Sequence, residues 1–151
     1  MSSIRVSTEL DATPAEVWAD LQDVGSHVEW MADAEEIRFT SEQRSGEGTT
    51  FECDTKVGPI RLTDEMAITA WQPPGEDGLG TMGVRHDGLV TGSGEFRLEP
   101  IEDGRTRFTW EEDLTFPWWM AGRVGAAAGR PVLGAVWRRN LKRLQERFAT
   151  T

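Results

Sequence analysis

"STELDATPAEVWADLQDVGSHVEW", residues 7–30, carries the opening of the fold. Its first residues finish an alternating run, in which Ile4, Val6, Thr8 and Leu10 interleave with Arg5, Ser7 and Glu9. A period of two is that of a half-buried strand. Thr13 then precedes Pro14 and Glu16. Threonine at the N-cap, proline at the first helical position and glutamate at the third form a strong helix-start signal. Val17, Trp18 and Leu21 supply the apolar face of that helix, Gly25 breaks it, and a second short helix is predicted after Ser26.

Downstream the period stays at two. Residues 35–41 alternate around Ile37 and Phe39, and residues 41–48, "SEQRSGEG", read as a turn. Residues 49–57 alternate through Phe51, Cys53 and Thr55. Gly58-Pro59 turns the chain into residues 60–71, where Leu62, Asp64, Met66, Ile68 and Ala70 share one face. A loop over 72–80 leads to three more strands at 81–87, 90–99 and 105–115, joined at Asp87-Gly88 and Glu102-Asp103-Gly104. Such Asp-Gly junctions favour hairpins. The predicted order is one strand, two short helices, six strands and one long helix. Short connections make the sheet an antiparallel meander, and only the last helix is long enough to cover its face. The fold class is α+β, with residues 1–151 as a single domain.

That last helix is unusual. "FPWWMAGRVGAAAGRPVLGAVW", residues 116–137, holds four glycines and Pro131. An interior Gly costs about 1 kcal/mol relative to Ala and an interior Pro about 3 kcal/mol. Beyond it, Trp137, Leu141, Leu144 and Phe148 form a regular apolar stripe. The second half therefore packs on the sheet. The first half is slim, leaving either close packing or space beneath it, and Pro131 predicts a kink near Ala127.

Composition narrows the function classes. No stretch approaches the roughly 18 charge-free apolar residues of a membrane span, and no basic-then-apolar leader opens the chain, so a cytoplasmic protein without membrane insertion is expected. Cys53 is the only cysteine; it excludes an internal disulfide and a thiolate metal cage, and reads best as a small buried hydrophobe. His27 and His86 lack partners at metal-ligand spacing, and no Gly-rich phosphate cradle or nucleophile elbow is present. No metal or cofactor is expected. Net charge is −10, yet residues 117–151 carry seven bases against one acid, Glu146. A basic helix face complementing its own acidic body explains this best. The overall charge and the lack of interleaved aromatics and bases argue against nucleic acid.

The stretch 7–30, together with "TFPWW", "GRPVLG" and "LKRLQERF" near the end, resembles the START-like superfamily of polyketide cyclases/dehydrases and lipid-transport proteins, also called SRPBCC. The likeness spans essentially the whole chain. It implies a helix-grip fold, in which a curved seven-stranded antiparallel sheet wraps around a long C-terminal helix and encloses an apolar cavity. It also implies a hydrophobic ligand such as a lipid, a polyketide or an aromatic compound.

Strand alternation selects the residues facing such a cavity. From the first strands come Phe51, Cys53, Leu62 and Met66; from the middle, Met82 and Val84; from the last two, Phe96, Phe108, Trp110 and Glu112. Trp119, Met120, Val124 and Ala127 join them from the terminal segment. Three polar residues interrupt these rows: Asp64, His86 and Glu112. Buried carboxylates need partners or protons, and Arg123 or Arg130 is a candidate partner for Glu112. His86 lies beside the Asp87-Gly88 turn, a position that favours exposure to water.

The leading reading is a binding or transport protein for a hydrophobic small molecule, acting as a monomer or homodimer. One alternative is a cyclase or dehydratase using Glu112, Asp64 and His86 as acid/base groups. The other is an interaction protein docking through its basic terminal helix. Replacing Ala127 or Gly129 with Leu fills the volume beneath the slim half-helix. Titration of such a variant is expected to show ligand binding abolished with cooperative unfolding intact; retained binding would refute the slim-helix account.

Overall fold

A computed structural model of the chain describes residues 2–57, 60–116 and 123–149. Side chains are described from Ser3 to Lys56, Arg61 to Phe116 and Leu133 to Ala149. Strand β1 (Ser2–Leu10) leads into α1 (Pro14–Leu21) and a 3₁₀ turn (Val24–Glu29). Strands β2 (Ala34–Phe39), β3 (Thr50–Val57), β4 (Ile60–Gln72), β5 (Gly80–Asp87), β6 (Thr91–Ile101) and β7 (Arg105–Thr115) follow, and α2 (Arg123–Arg147) ends the chain. They form one antiparallel sheet in the order β1-β7-β6-β5-β4-β3-β2, the helix-grip arrangement. α1 starts with the expected capping box: Thr13 Oγ1 accepts from the Glu16 amide, and Glu16 Oε1 accepts from the Thr13 amide, both at 3.2 Å.

The register gathers the inward residues into continuous rows. Val6 pairs with Trp110, Trp110 with Phe96, and Phe96 with Met82. One place departs from the sequence expectation. A bulge between Ile68 and Ala70 shifts β4 by one residue, so Trp71 rather than Ala70 pairs with Met82. A bulge re-aims every side chain beyond it. Trp71 thereby packs against the core and meets Trp18 edge-to-face at 5.2 Å.

An aromatic cluster fills one part of the concave face. Phe96 lies 5.0 Å from Phe108 and 5.4 Å from Trp110, and Trp30 packs against all three. α2 closes over this cluster: Trp137 stacks on Trp110 at 4.4 Å, and Leu141 and Leu144 are buried beside it. The amphipathic stripe is therefore the seam between helix and sheet. α2 continues as one helical segment through Gly125, Gly129 and Pro131, and the preceding Trp118 and Trp119 lie outside the described residues.

Polar contacts fix the end of α2. Asn140, fully buried, accepts from the Ala32 amide at 2.9 Å and donates to Asp33 Oδ1 at 2.7 Å. Arg147 grips Asp20 through two hydrogen bonds of 2.7 and 2.9 Å, and Arg143 donates to the Glu29 carbonyl. Part of the helix's positive charge thus complements its own body. Burial separates the energetic weights. Asn140→Ala empties a fully buried site and leaves the part-buried Ala32 amide and Asp33 carboxylate without their partner, and is expected to destabilise the fold by about 1–3 kcal/mol. Arg147→Ala removes a partly exposed pair and should cost no more than about 1 kcal/mol. Urea unfolding of both variants checks this ordering, and equal losses would contradict it.

Candidate functional site

β4, β5 and β7 each place one ionisable residue on the concave face. Met66 pairs with His86, so Asp64, two residues away, lies on the same face as His86. On the far side of β6, Glu112 pairs with Gly94 while His86 pairs with Gly92. β6 therefore has no side chain at either position between β5 and β7. This bare stretch lets His86 reach across a whole strand.

Both imidazole nitrogens are engaged. Nδ1 lies 3.2 Å from Asp64 Oδ2, and Nε2 lies 2.8 Å from Glu112 Oε1. The side chains of His86, Asp64 and Glu112 retain only 5%, 13% and 8% of their exposure. The expectation that His86 faces water is overturned: the alternation of β5 holds to its end and turns the ring inward. In the described structure the partner of Glu112 is His86; the side chains of Arg123 and Arg130 lie outside the described residues.

Gly94 is a steric requirement of this contact. A Cβ there would stand 2.6 Å from Glu112 Oε1 and closer still to its Cγ, inside van der Waals contact. Gly92 adopts φ +135°, and a Cβ there would collide with the Asp113 carbonyl oxygen. "TGSGEF", residues 91–96, is the signal that sequence reasoning passed over: two glycines spaced by two fall on one face of a strand.

The electrostatics follow from this geometry. Burial by itself lowers the pKa of His86, but hydrogen bonds to Asp64 and Glu112 outweigh it and raise the value to about 10. The ring is thus an imidazolium at neutral pH, donating from both nitrogens. Burial pushes the Glu112 carboxyl above its usual range, with the His86 contact opposing part of the rise. Cys53 pairs with Asp64 across β3 and β4, and burial pushes its thiol up to about 12, so it stays protonated and is no nucleophile. His27 stands apart. Its Nε2 bonds the Leu21 carbonyl at 2.8 Å, and burial lowers its pKa, leaving a neutral core histidine.

The remaining sequence candidates divide into groups. Phe51 is buried beside Val24 and Ile68, with Met66 and Val84 packed against them. Met82, Phe108 and Trp110 belong to the larger core, against which the partly buried Phe96 and Leu62 pack. Trp119 and Met120 lie outside the described residues, as do the side chains of Val124 and Ala127 on α2. Among the described residues, two buried side-chain polar atoms have no hydrogen-bond partner: Asp64 Oδ1 and Trp30 Nε1. Among the described residues no group of three or more His, Cys, Asp or Glu is arranged to hold a metal ion, and no helix is long and apolar enough to cross a membrane.

Comparison with known proteins agrees with this architecture. The sequence profile of the family described as "Polyketide cyclase / dehydrase and lipid transport" matches residues 1–149. Comparison with curated proteins finds no match. Among solved structures, a Thermus thermophilus protein superposes with a TM-score of 0.77 at 16% identity, covering 97% of both chains. A START superfamily protein from Mycobacterium smegmatis gives 0.75 at 11% identity, over 97% of this chain and 96% of that one. The Zhui aromatase/cyclase from a Streptomyces species gives 0.70 at 20% identity, over 96% and 89%. These likenesses concern the fold.

The sign of the pH dependence follows from the shifts. His86 rises from 6.5 unfolded to about 10 folded, so its stabilisation is complete below pH 6.5 and disappears as pH climbs through about 10. Glu112, also raised, acts in the same direction from about its unfolded value upward. Stability to heat is expected to fall by several kcal/mol as pH rises from 6.5 to 10. His86→Gln should flatten that slope, whereas an unchanged slope in the variant would place the titrating group elsewhere.

Proposed function

Because the chain belongs to the polyketide cyclase/dehydrase and lipid transport family, we propose that it binds a hydrophobic small molecule between the concave sheet face and α2. A lipid, a polyketide or an aromatic compound fits this reading. The observation that carries it is the Asp64–His86–Glu112 constellation, hydrogen-bonded and largely buried on a mostly apolar face. Apolar packing alone would hold the sheet and α2 together without it. Taking three ionisable groups out of water costs several kcal/mol even when they are paired. A polar anchor for a ligand accounts for that cost. Affinity then comes mainly from apolar burial at roughly 25 cal/mol per Å², with the anchor fixing orientation.

A second reading is acid/base catalysis of the cyclase or dehydratase kind. Its support is the convergence of two carboxyl groups on one imidazole, with Glu112 shifted upward and Asp64 retaining a free oxygen. Pairs of carboxyls in unlike environments are how one site supplies both an acid and a base. His86 itself has no free nitrogen, so in this reading it orients the carboxyls and does not take the proton.

Native mass spectrometry against oleic acid, menadione and 2-naphthol tests the binding reading. At least one is expected to bind at one per chain, and Glu112→Gln to weaken it and remove its pH dependence. If none binds, the proposal fails. The catalytic reading requires in addition that a poly-β-ketone probe lose one water in the presence of the wild type and not of Glu112→Gln.

A further inference from the structure

Among the described residues, the buried polar side chains nearly all have partners. His86 uses both nitrogens, Asn140 uses both ends of its amide, and His27 bonds the Leu21 carbonyl. Thr106 donates to the Ala12 carbonyl. Among the described residues, what is left is a matched remainder: one indole N–H, on Trp30, and one carboxylate oxygen, on Asp64. An indole nitrogen can only donate, and an ionised carboxylate oxygen can only accept. The two do not satisfy each other. Buried polar groups without partners are few in native proteins, and each calls for an explanation.

Their placement supplies one. Trp30 is only 1% exposed, and its ring lies 6.0 Å from Trp110, 5.9 Å from Phe96 and 6.3 Å from Phe108. Two residues beyond Trp110 on the same face is Glu112, which meets His86, which meets Asp64. A run of contacts, along β7 from Trp110 to Glu112 and then across to β4, thus connects the residue with the unpartnered donor to the residue with the unpartnered acceptor. Charge adds a constraint. His86 carries one positive charge between two carboxyl groups.

We infer that Trp30 Nε1 and Asp64 Oδ1 are the specificity-determining contacts of the ligand site, the first donating to an acceptor oxygen and the second accepting from a hydroxyl. This rests on the binding reading above and narrows it. The ligand is a neutral, ring-containing molecule with a carbonyl and a hydroxyl. A carboxylate is disfavoured, because it would bring a further negative charge to Asp64 and offer it no proton. The aromatic edges around Trp30 suit a flat ring.

Four probes with one bicyclic frame test this: naphthalene, 1-tetralone, 2-naphthol and 2-naphthoate. The wild type is expected to bind 1-tetralone and 2-naphthol more tightly than naphthalene, and 2-naphthoate most weakly. Trp30→Phe removes the N–H and keeps an aromatic ring. It should weaken 1-tetralone about tenfold and leave naphthalene unchanged. Asp64→Asn should weaken 2-naphthol by a similar factor and strengthen 2-naphthoate. In the wild type, the indole N–H resonance of Trp30 should move on adding 1-tetralone but not naphthalene, a readout that needs no variant to fold. If Trp30→Phe affects both probes alike, or the resonance responds to both alike, the Trp30 contact is packing and the inference falls. If the wild type binds none of the four, the binding reading falls with it.

Discussion

An imidazolium held between two carboxyl groups, out of water, is the constraint on which this interior turns. Any one of the three, left alone, would carry a desolvation penalty of several kcal/mol. They are tolerated because each answers another at 2.8 or 3.2 Å. That closeness demands much of the backbone. β5 and β7 are separated by β6, so a direct contact between them requires β6 to present no side chain at the crossing. Gly92 and Gly94 meet that demand. It also requires an unslipped register, because a shift of one residue would send His86 to the opposite face.

The aromatic cluster supplies that register. Val6, Trp110, Phe96 and Met82 pair across four adjacent strands, and Trp137 stacks on Trp110 from above. Two residues along each of β6 and β7, the same face changes character, to Gly94 and Glu112. The concave face is thus divided into a packed aromatic part, which fixes the strands and α2, and a polar part with missing side chains. The rigid part positions the polar one. Small displacements there would lengthen the two hydrogen bonds without any change of residue at the site.

Much of this was legible in the sequence. Strand periodicity, the Thr13-Pro14-Glu16 signal and the Trp137–Phe148 stripe each reflect a local rule, and the fold follows from them. The inward-facing rows followed from alternation as far as Ile68. The bulge at residues 68–70 was not legible, because an inserted residue leaves no mark in a pattern that is apolar on both sides, as Ile68, Ala70 and Trp71 are. The three polar candidates were visible as intruders in apolar rows, but their mutual contact was not. Asp64, His86 and Glu112 are 22 and 26 residues apart, and only the sheet's order brings them together. Proximity to the Asp87-Gly88 turn pointed His86 the wrong way: a hairpin's position along the chain does not say which face its last inward residue presents.

The saturation of His86 bears on what chemistry the site can support. A histidine acting as general base needs one nitrogen free toward the substrate. Here both are occupied, and the ring's raised pKa means that it has no proton affinity to spare near neutrality. Any proton moved within this site has to pass through the carboxyl groups, by the unpartnered Asp64 oxygen or the second oxygen of Glu112. The same arrangement also suits the proposed binding role, in which fixed carboxyls would select hydroxyl-bearing ligands while the central cation limits their mutual repulsion. The two proposed roles, carrier and catalyst, therefore call on the same geometry, and they would differ in what a bound molecule presents to those two oxygens.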